Sequence, residues 1–304
     1  MWTRITAEET ILPWLPADSP ARCPARDTSD PRGRPMRKMA GNQAVKMTSI
    51  SGWDVRWGII QQPRMRLFCA PHAGGGAGVY RTWARLLAPE IEVVALRLPG
   101  REMRYGETPY TSAEELVPEL VRGVAPLLDR PHAWFGHSMG ALIAFESCRW
   151  LRRTGLGEPA RLLVSGRSAP QLPLRGRLVH DAPTPELARW LRATGGTPPE
   201  LLDDPALFEA LLPMLRADMT VAETYRYRPE PPLACPMSVF GGSDDEYATP
   251  EELRQWDRQT TAECRTRLYQ GGHFFIHDMK EQILPVIGED LLESVSHGAG
   301  PAGR

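Results

Sequence analysis

Short apolar segments alternate with amphipathic segments of helical spacing along most of the chain from residue 65 onward. Each apolar segment has the length of a buried strand, and turn residues separate it from the next segment. This alternation is typical of βα units, so we predict an α/β fold in which helices flank a mostly parallel sheet. The predicted strands span residues 65–70, 92–96, 132–135, 161–165, 236–240 and 265–269, and the predicted helices include 113–128, 139–153 and 250–260.

The alternation is interrupted between residues 171 and 232. This region contains proline pairs and segments of helical spacing, such as 185–193 and 205–216, but no apolar run that is typical of a strand. We therefore predict a helical insertion at 171–232 that folds over the sheet as a lid.

The two ends of the chain lack a sustained apolar pattern. Residues 1–47 are rich in Pro, Arg and Asp, so we expect a disordered N-terminal extension there. A folded domain at 48–297 and a flexible tail at 298–304 are expected to follow. Met36, Met39 and Met47 are alternative start sites, and we expect the native protein to begin later than Met1.

Composition and charge narrow the class of protein. The 36 Lys and Arg residues balance 37 Asp and Glu residues, which argues against binding to nucleic acid or to an anionic membrane through overall charge. The five cysteines form no Cys-x-x-Cys pair. No apolar run reaches the length of about 18 residues that spans a bilayer, and no signal peptide is recognisable. We expect a cytoplasmic protein that is neither secreted nor inserted in a membrane.

The strongest local motif is Gly136-His137-Ser138-Met139-Gly140, which lies between a predicted strand and a predicted helix. A serine at such a sharp turn needs small flanking residues, and its hydroxyl is presented above the edge of the sheet. The N-terminus of the following helix also favours developing negative charge. We therefore predict that Ser138 is a catalytic nucleophile on an α/β-hydrolase fold.

A serine hydroxyl needs a neighbouring imidazole to accept its proton. His273 follows a predicted strand directly, in a glycine-containing loop that would turn its ring back over the sheet. Among the other histidines after Ser138, His180 lies in the predicted insertion, His297 lies near the glycine-rich tail, and His277 is predicted at a helix N-terminus. His273 is thus the predicted base.

The carboxylate that orients this imidazole is expected after the predicted strand 236–240, where Asp244 and Asp245 are adjacent. The usual Gly-x-x-Asp arrangement at this turn runs from Gly242 to Asp245, so we assign the role to Asp245. Asp244 remains the alternative; otherwise it caps the turn or is exposed. The resulting chain order of Ser, Asp and His is the order of this fold.

Hydrolysis also requires two N–H donors for the oxyanion of the tetrahedral intermediate. Met139 is predicted to supply one, and Ala73 is predicted to supply the other from the glycine-rich loop at 69–78. No Gly-Lys-Ser/Thr sequence follows this loop, so a phosphate-binding role is disfavoured. His72, in the same loop, is predicted to form part of the pocket wall.

Six motifs in order make the chain resemble the type II thioesterases that accompany polyketide synthases and nonribosomal peptide synthetases. The likeness runs from about Arg66 to Leu292, and the motifs are Pro71-His72-Ala73-Gly74-Gly75, Leu98-Pro99-Gly100-Arg101, Gly136-His137-Ser138-Met139-Gly140, Gly195-Gly196-Thr197-Pro198, Arg216-Ala217-Asp218 and Gly271-Gly272-His273-Phe274-Phe275. The triad of the family falls on Ser138, Asp245 and His273, and its oxyanion donors fall on Ala73 and Met139. The chain departs from the pattern in its long N-terminal extension and at Glu246-Tyr247, where a proline or apolar residue often follows the acid.

The resemblance implies hydrolysis of stalled or wrongly primed acyl groups from the phosphopantetheine arm of acyl or peptidyl carrier domains, with no cofactor or metal of the enzyme's own. Carrier domains are typically acidic, so five arginines could form a docking patch for them. The alternative interpretation is that these arginines are solvated surface side chains. These arginines are Arg149, Arg152, Arg153, Arg175 and Arg177. The alternative functions are release of medium-chain acyl groups, cleavage of oxygen esters, and non-catalytic binding to a synthase.

Overall fold

The strands of the computed structural model, which describes residues 47–298, form one eight-stranded sheet. They are β1 (Met47–Thr48), β2 (Asp54–Trp57), β3 (Met65–Ala70), β4 (Ile91–Leu96), β5 (His132–His137), β6 (Arg161–Ser165), β7 (Met237–Gly242) and β8 (Cys264–Tyr269). Their spatial order is β1-β2-β4-β3-β5-β6-β7-β8. Strands β3 to β8 are parallel, so the loops that follow them meet at one edge, and β2 is antiparallel to both β1 and β4.

Helices cover both faces of the sheet. They are α1 (Arg81–Leu86), α2 (Ala113–Val124), α3 (Met139–Arg153), α4 (Thr184–Thr194), α5 (Pro199–Asp203), α6 (Pro205–Thr224), α7 (Pro250–Arg254), α8 (Phe275–Asp278) and α9 (Lys280–Gly298). Adjacent strand residues point to opposite faces. Phe68 therefore packs in the core under α2 and α3, whereas Leu67 packs in the core under α1 and α9.

The six predicted strands are all present, with ends within two residues of the predicted ones. The predicted helix 139–153 is also confirmed, but two others are shorter than predicted. Helix α2 ends at Val124 and continues as a 3-10 turn that contains Pro126, a residue without the N–H that an α-helix requires. Helix α7 likewise ends at Arg254 and continues as a 3-10 turn to Gln259.

Strands β1 and β2 form an antiparallel edge that the apolar pattern did not predict. The reason is that β2 buries charged side chains: Asp54 and Arg56 lie 3.3 Å apart, and Arg56 also lies 3.6 Å from Glu92 on β4. Buried charges persist when they are paired in this way. The continuous apolar run that is typical of a buried strand is therefore absent from β2.

The region 171–232 contains α4, α5 and α6, in agreement with its predicted helical character. Their apolar side chains, including Leu187, Leu201 and Leu215, form a small core of their own beside the main one. Helix α6 extends to Thr224, beyond the predicted end at 216, because Ala217, Val221 and other buried residues continue its apolar face.

Much of the predicted extension and tail, including Met36 and Met39, lies outside the described residues, as does the side chain of His297. Met47, predicted in the extension, pairs with Trp57 in the edge of the sheet. Helix α9 continues to Gly298. Between residues 47 and 298, no helix is both long enough and apolar enough to cross a bilayer.

Candidate active site

Ser138 lies at the sharp turn between β5 and α3. Its backbone has a φ of 54°, a left-handed conformation that is unusual for a residue with a side chain. A Cβ atom on Gly136 would lie 1.9 Å from the carbonyl oxygen of Gly140, so the flanking positions require glycine. The Ser138 N–H donates to the carbonyl of Ser165 on β6 at 2.8 Å, which fixes the turn to the neighbouring strand.

His273 connects the predicted nucleophile to the predicted acid. Its Nε2 atom lies 3.0 Å from Oγ of Ser138, and its Nδ1 atom lies 2.9 Å from Oδ2 of Asp245. The loops after β5, β7 and β8 supply the three side chains, all at the same edge of the sheet. This is the arrangement in which an imidazole accepts a proton from a hydroxyl while a carboxylate stabilises the resulting cation.

The structure brings Asp245 to the imidazole, and not its neighbour Asp244. The Asp245 carboxylate is buried, and its second oxygen accepts the N–H of Tyr247 at 2.9 Å. Asp244 is exposed, and its backbone N–H donates to the carbonyl of Gly271 at 2.9 Å. That bond ties the acid loop to the loop of His273.

The rival histidines occupy other places. His180 contacts Glu223 at 2.7 Å within the insertion. His277 is the third residue of the four-residue helix α8, and its side chain is exposed. His72 was expected in the pocket wall, but it does not line the cavity; its ring lies edge-on to that of Phe274, which does, with ring centroids 5.0 Å apart. Its Nδ1 atom lies 3.0 Å from the carbonyl oxygen of Ala73, which holds it there.

His137 belongs to the surroundings of the base, although its place in the sequence predicted no role for its side chain. Its ring lies 5.1 Å from that of His273, and its Nδ1 atom lies 3.0 Å from Oγ of Ser165. Burial lowers the pKa of His137 well below its ordinary value, and burial likewise lowers the pKa of His72 to about 3. These two imidazoles are therefore neutral near pH 7, so His137 places an uncharged ring against the base, and His72 packs against His137.

The predicted oxyanion donors belong to the loop after β3 and to the first residue of α3. Met139 is the first residue of α3, so its N–H has no acceptor within the helix. Ala73 lines the same cavity as Ser138 and His273. The next N–H along the loop, that of Gly74, is already engaged because it donates to Oδ2 of Asp218 at 2.7 Å.

A cavity of about 80 Å³ opens above Ser138. Helix α4 contributes Trp190 and Leu191 to its wall, and helix α6 contributes Met219. Arg167 also lies in the wall, and burial lowers the pKa of its guanidinium to about 10. Arg167 follows β6 by two residues, at the edge of the sheet where the site residues meet. That position in the sequence could have indicated that Arg167 lies near the site.

The five arginines of the predicted docking patch are all ion-paired. Arg149 is buried, 2.6 Å from Glu146 and 2.7 Å from Glu230, so this residue is not available to a partner. The other pairs are Arg152 and Arg153 with Glu230, Arg175 with Glu252, and Arg177 with Glu186. These contacts favour structural and surface roles over a free cationic patch.

No group of three or more His, Cys, Asp or Glu side chains within residues 47–298 is placed to hold a metal ion. At the site itself the structure brings together a hydroxyl, an imidazole and a carboxylate.

Comparison with known proteins identifies the family of the chain. The model of the thioesterase domain matches residues 65–291. The gramicidin S biosynthesis protein GrsT of Aneurinibacillus migulanus is 38% identical over 245 residues, which cover 81% of this chain and 96% of that protein. The solved structure of the type II thioesterase BorB from the borrelidin biosynthetic cluster is 36% identical, with a TM-score of 0.72, and the match covers 80% of this chain and 98% of BorB. The structure of the thioesterase RedJ from the prodiginine biosynthetic pathway of Streptomyces coelicolor is also 36% identical, with a TM-score of 0.72. That match covers 76% of this chain and 87% of RedJ. The chain therefore belongs to the thioesterase domain family and is a thioesterase hydrolase of the α/β-hydrolase fold.

Proposed function

We propose that this protein is a type II thioesterase that hydrolyses stalled or wrongly primed acyl groups from the phosphopantetheine arms of carrier domains in a polyketide or nonribosomal peptide pathway. The observation that carries the proposal is the unbroken line from Ser138 through His273 to Asp245, with contacts of 3.0 and 2.9 Å, at the base of a cavity. The pathways named for GrsT, BorB and RedJ support the substrate class.

The proposed reaction begins when the Ser138 oxygen attacks the thioester carbonyl and His273 accepts the hydroxyl proton. The N–H groups of Ala73 and Met139 stabilise the oxyanion. The carbon–sulfur bond then breaks, His273 returns the proton to the thiolate, and the free thiol leaves. Water attacks the acyl-serine by the same sequence, which releases a carboxylic acid and restores Ser138.

The shape of the site suits an acyl group on a long thiol arm. Apolar residues of the wall, such as Leu191 and Met219, can contact an acyl chain, while the mouth is bordered by Arg175 and Leu178. A thin flexible arm reaches such a recessed serine more readily than a bulky ester does. We therefore assign the mouth to the arm and the interior to the acyl group.

Intact mass spectrometry of a carrier domain tests the proposal directly. The carrier is loaded with acetyl, propionyl, malonyl or octanoyl groups and incubated with the enzyme. Conversion to the free-thiol form is expected for short acyl groups, and Ser138→Ala is expected to abolish it. A p-nitrophenyl ester serves as the comparison substrate for general esterase activity.

The outcomes separate the candidate functions. Preferential hydrolysis of octanoyl carrier would favour release of finished medium-chain acids. Hydrolysis of the ester with no hydrolysis of any loaded carrier would contradict the carrier assignment. Failure of Ser138 to react with a fluorophosphonate, together with inactivity on every substrate, would favour a module that only binds a synthase.

A further inference from the structure

Two sequence motifs that the proposed reaction leaves without a role meet in one buried ion pair. Arg101, after β4, and Asp218, in α6, are each 3% exposed. The guanidinium donates from Nη1 to Oδ2 of Asp218 at 2.9 Å and from Nη2 to Oδ1 at 2.6 Å. This two-point contact has a fixed geometry, because both partners are planar.

The ion pair also binds the backbone of the glycine-rich loop. Oδ2 of Asp218 accepts the N–H of Gly74 at 2.7 Å, and Nη1 of Arg101 donates to the carbonyl of Gly75 at 2.8 Å. Gly74 has a φ of 76°, a conformation that suits glycine. The loop is thus held in an uncommon backbone conformation by two charged side chains from other parts of the chain.

The peptide group between Ala73 and Gly74 is held from both sides. His72 contacts its carbonyl oxygen at 3.0 Å, and Asp218 accepts its N–H at 2.7 Å. A peptide group is planar, so these two contacts fix its orientation. They also restrict the ψ angle of Ala73, the residue whose own N–H is the proposed oxyanion donor.

We propose that Asp218 is a positioning residue of the oxyanion hole, which aligns the Ala73 N–H through its bond to Gly74 and is itself aligned by Arg101. The inference rests on the proposed role of Ala73. Because Asp218 belongs to α6, the same contact connects the helical insertion to the donor loop. A shift of α6 would alter the stabilisation of the oxyanion as well as the shape of the cavity.

The decisive variant replaces both charges, as Arg101→Met/Asp218→Leu. Apolar residues of similar volume often replace a buried ion pair without loss of stability, but they provide no acceptor for Gly74. We expect this variant to fold with a Tm only modestly below that of the wild type, because the Gly74 N–H and the Gly75 carbonyl lose their partners, while kcat on acetyl carrier falls about 10- to 100-fold, the order expected for a small misplacement in a catalytic site. KM is expected to stay within about twofold, because the donor acts mainly in the transition state.

A boronic acid gives a second readout. An alkyl boronic acid adds to the serine oxygen and presents a tetrahedral boronate oxygen to the oxyanion donors. Its inhibition constant is expected to rise in parallel with the loss of kcat. Asp218→Asn, which retains an oxygen acceptor for Gly74, is expected to recover part of kcat relative to Asp218→Ala, and this comparison decides the question if the double variant does not fold.

Asp204→Ala is the matched control on the same helix. Asp204 caps the N-terminus of α6 through bonds to Ala206 and Leu207, and it is exposed at the end of the helix remote in sequence from Asp218. This variant is expected to lower Tm but to leave kcat and the boronate inhibition constant unchanged.

Wild-type kcat in the folded double variant, or equal kcat for Asp218→Asn and Asp218→Ala, would overturn the inference. If Ser138 still reacts with a fluorophosphonate and remains essential for turnover, the proposed function stands independently of that result.

Discussion

The Cα of Gly140 faces the backbone of Ala70 so closely that a methyl group on Gly140 would lie 2.2 Å from the Ala70 carbonyl oxygen. Backbone atoms cannot move aside as a flexible side chain can. We expect Gly140→Ala to lower the free energy of unfolding by about 1–3 kcal/mol, the usual cost of overpacking, and to lower kcat because the serine turn is displaced. Urea unfolding and thioesterase assays measure the two effects.

Gly106→Ala is the control for that prediction. A Cβ atom at Gly106 would have no neighbour within 4 Å, so this substitution is expected to change stability and activity little. If the two variants unfolded at the same urea concentration and had equal activity, close approach to Ala70 would not explain the glycine.

Asp245 and Asp244 provide a matched pair for the acid. We expect Asp245→Asn to lower kcat about 1,000- to 10,000-fold, because an amide at this position favours the wrong imidazole tautomer and does not stabilise the cation of His273. Asp244→Asn is expected to remain near wild-type activity, since the Asp244 carboxylate is exposed and its bond to Gly271 is made by the backbone. Steady-state assays on acetyl carrier measure both variants, and comparable losses would contradict the assignment.

The sequence predicted those parts of the fold that depend on a local pattern of residue types. Apolar runs predicted strands β3 to β8, and the Gly-x-Ser-x-Gly turn predicted the position of Ser138. Beyond the contacts of His273 with Ser138 and Asp245, the sequence did not predict contacts between distant polar residues. Asp218 and Gly74 are 144 positions apart, and nothing local in either motif indicates that they bond. Strand β2 was not predicted for the same reason. Its Asp54 and Arg56 are charged residues of the kind usually found at the surface, and they are buried here because they are ion-paired.

Arg167 is expected to influence the choice of acyl group. Its guanidinium donates to the carbonyl of Ala222 at 2.8 Å, and within residues 47–298 no carboxylate lies within ion-pair distance of it. Arg167→Met removes a desolvated charge from the cavity wall and adds apolar surface. We expect the ratio of kcat/KM for octanoyl over acetyl carrier to rise about fourfold to fifteenfold, which corresponds to the burial of one or two methylene groups.

A competition assay with both loaded carriers measures that ratio. Arg192→Met is the control, because Arg192 is exposed, pairs with Asp203 and does not line the cavity. The control is expected to leave the ratio unchanged. An unchanged ratio in Arg167→Met would show that Arg167 does not contact the acyl chain.

His132 makes the stability of the protein depend on pH. Burial lowers its pKa from the ordinary 6.5 to about 4. Between these two values the unfolded chain binds a proton at this position that the folded chain does not bind, so the contribution of His132 to stability is lost as pH falls from 6.5 toward 4. We expect His132→Phe, which can pack against Phe68 without titrating, to remove this contribution.

Urea unfolding at pH 7.5 and at pH 5 measures the difference. The wild type is expected to lose about 2 kcal/mol more than His132→Phe over this interval, since one pKa unit corresponds to about 1.4 kcal/mol. Buried His72 and His137 titrate in the same direction, so the variant still loses some stability in acid. Its activity at pH 7.5 is expected to match the wild type because His132 lies at the start of β5, and Ser138 follows the opposite end of that strand. Parallel stability curves for the two proteins would mean that the His132 imidazole binds its proton as readily in the folded state as in the unfolded chain.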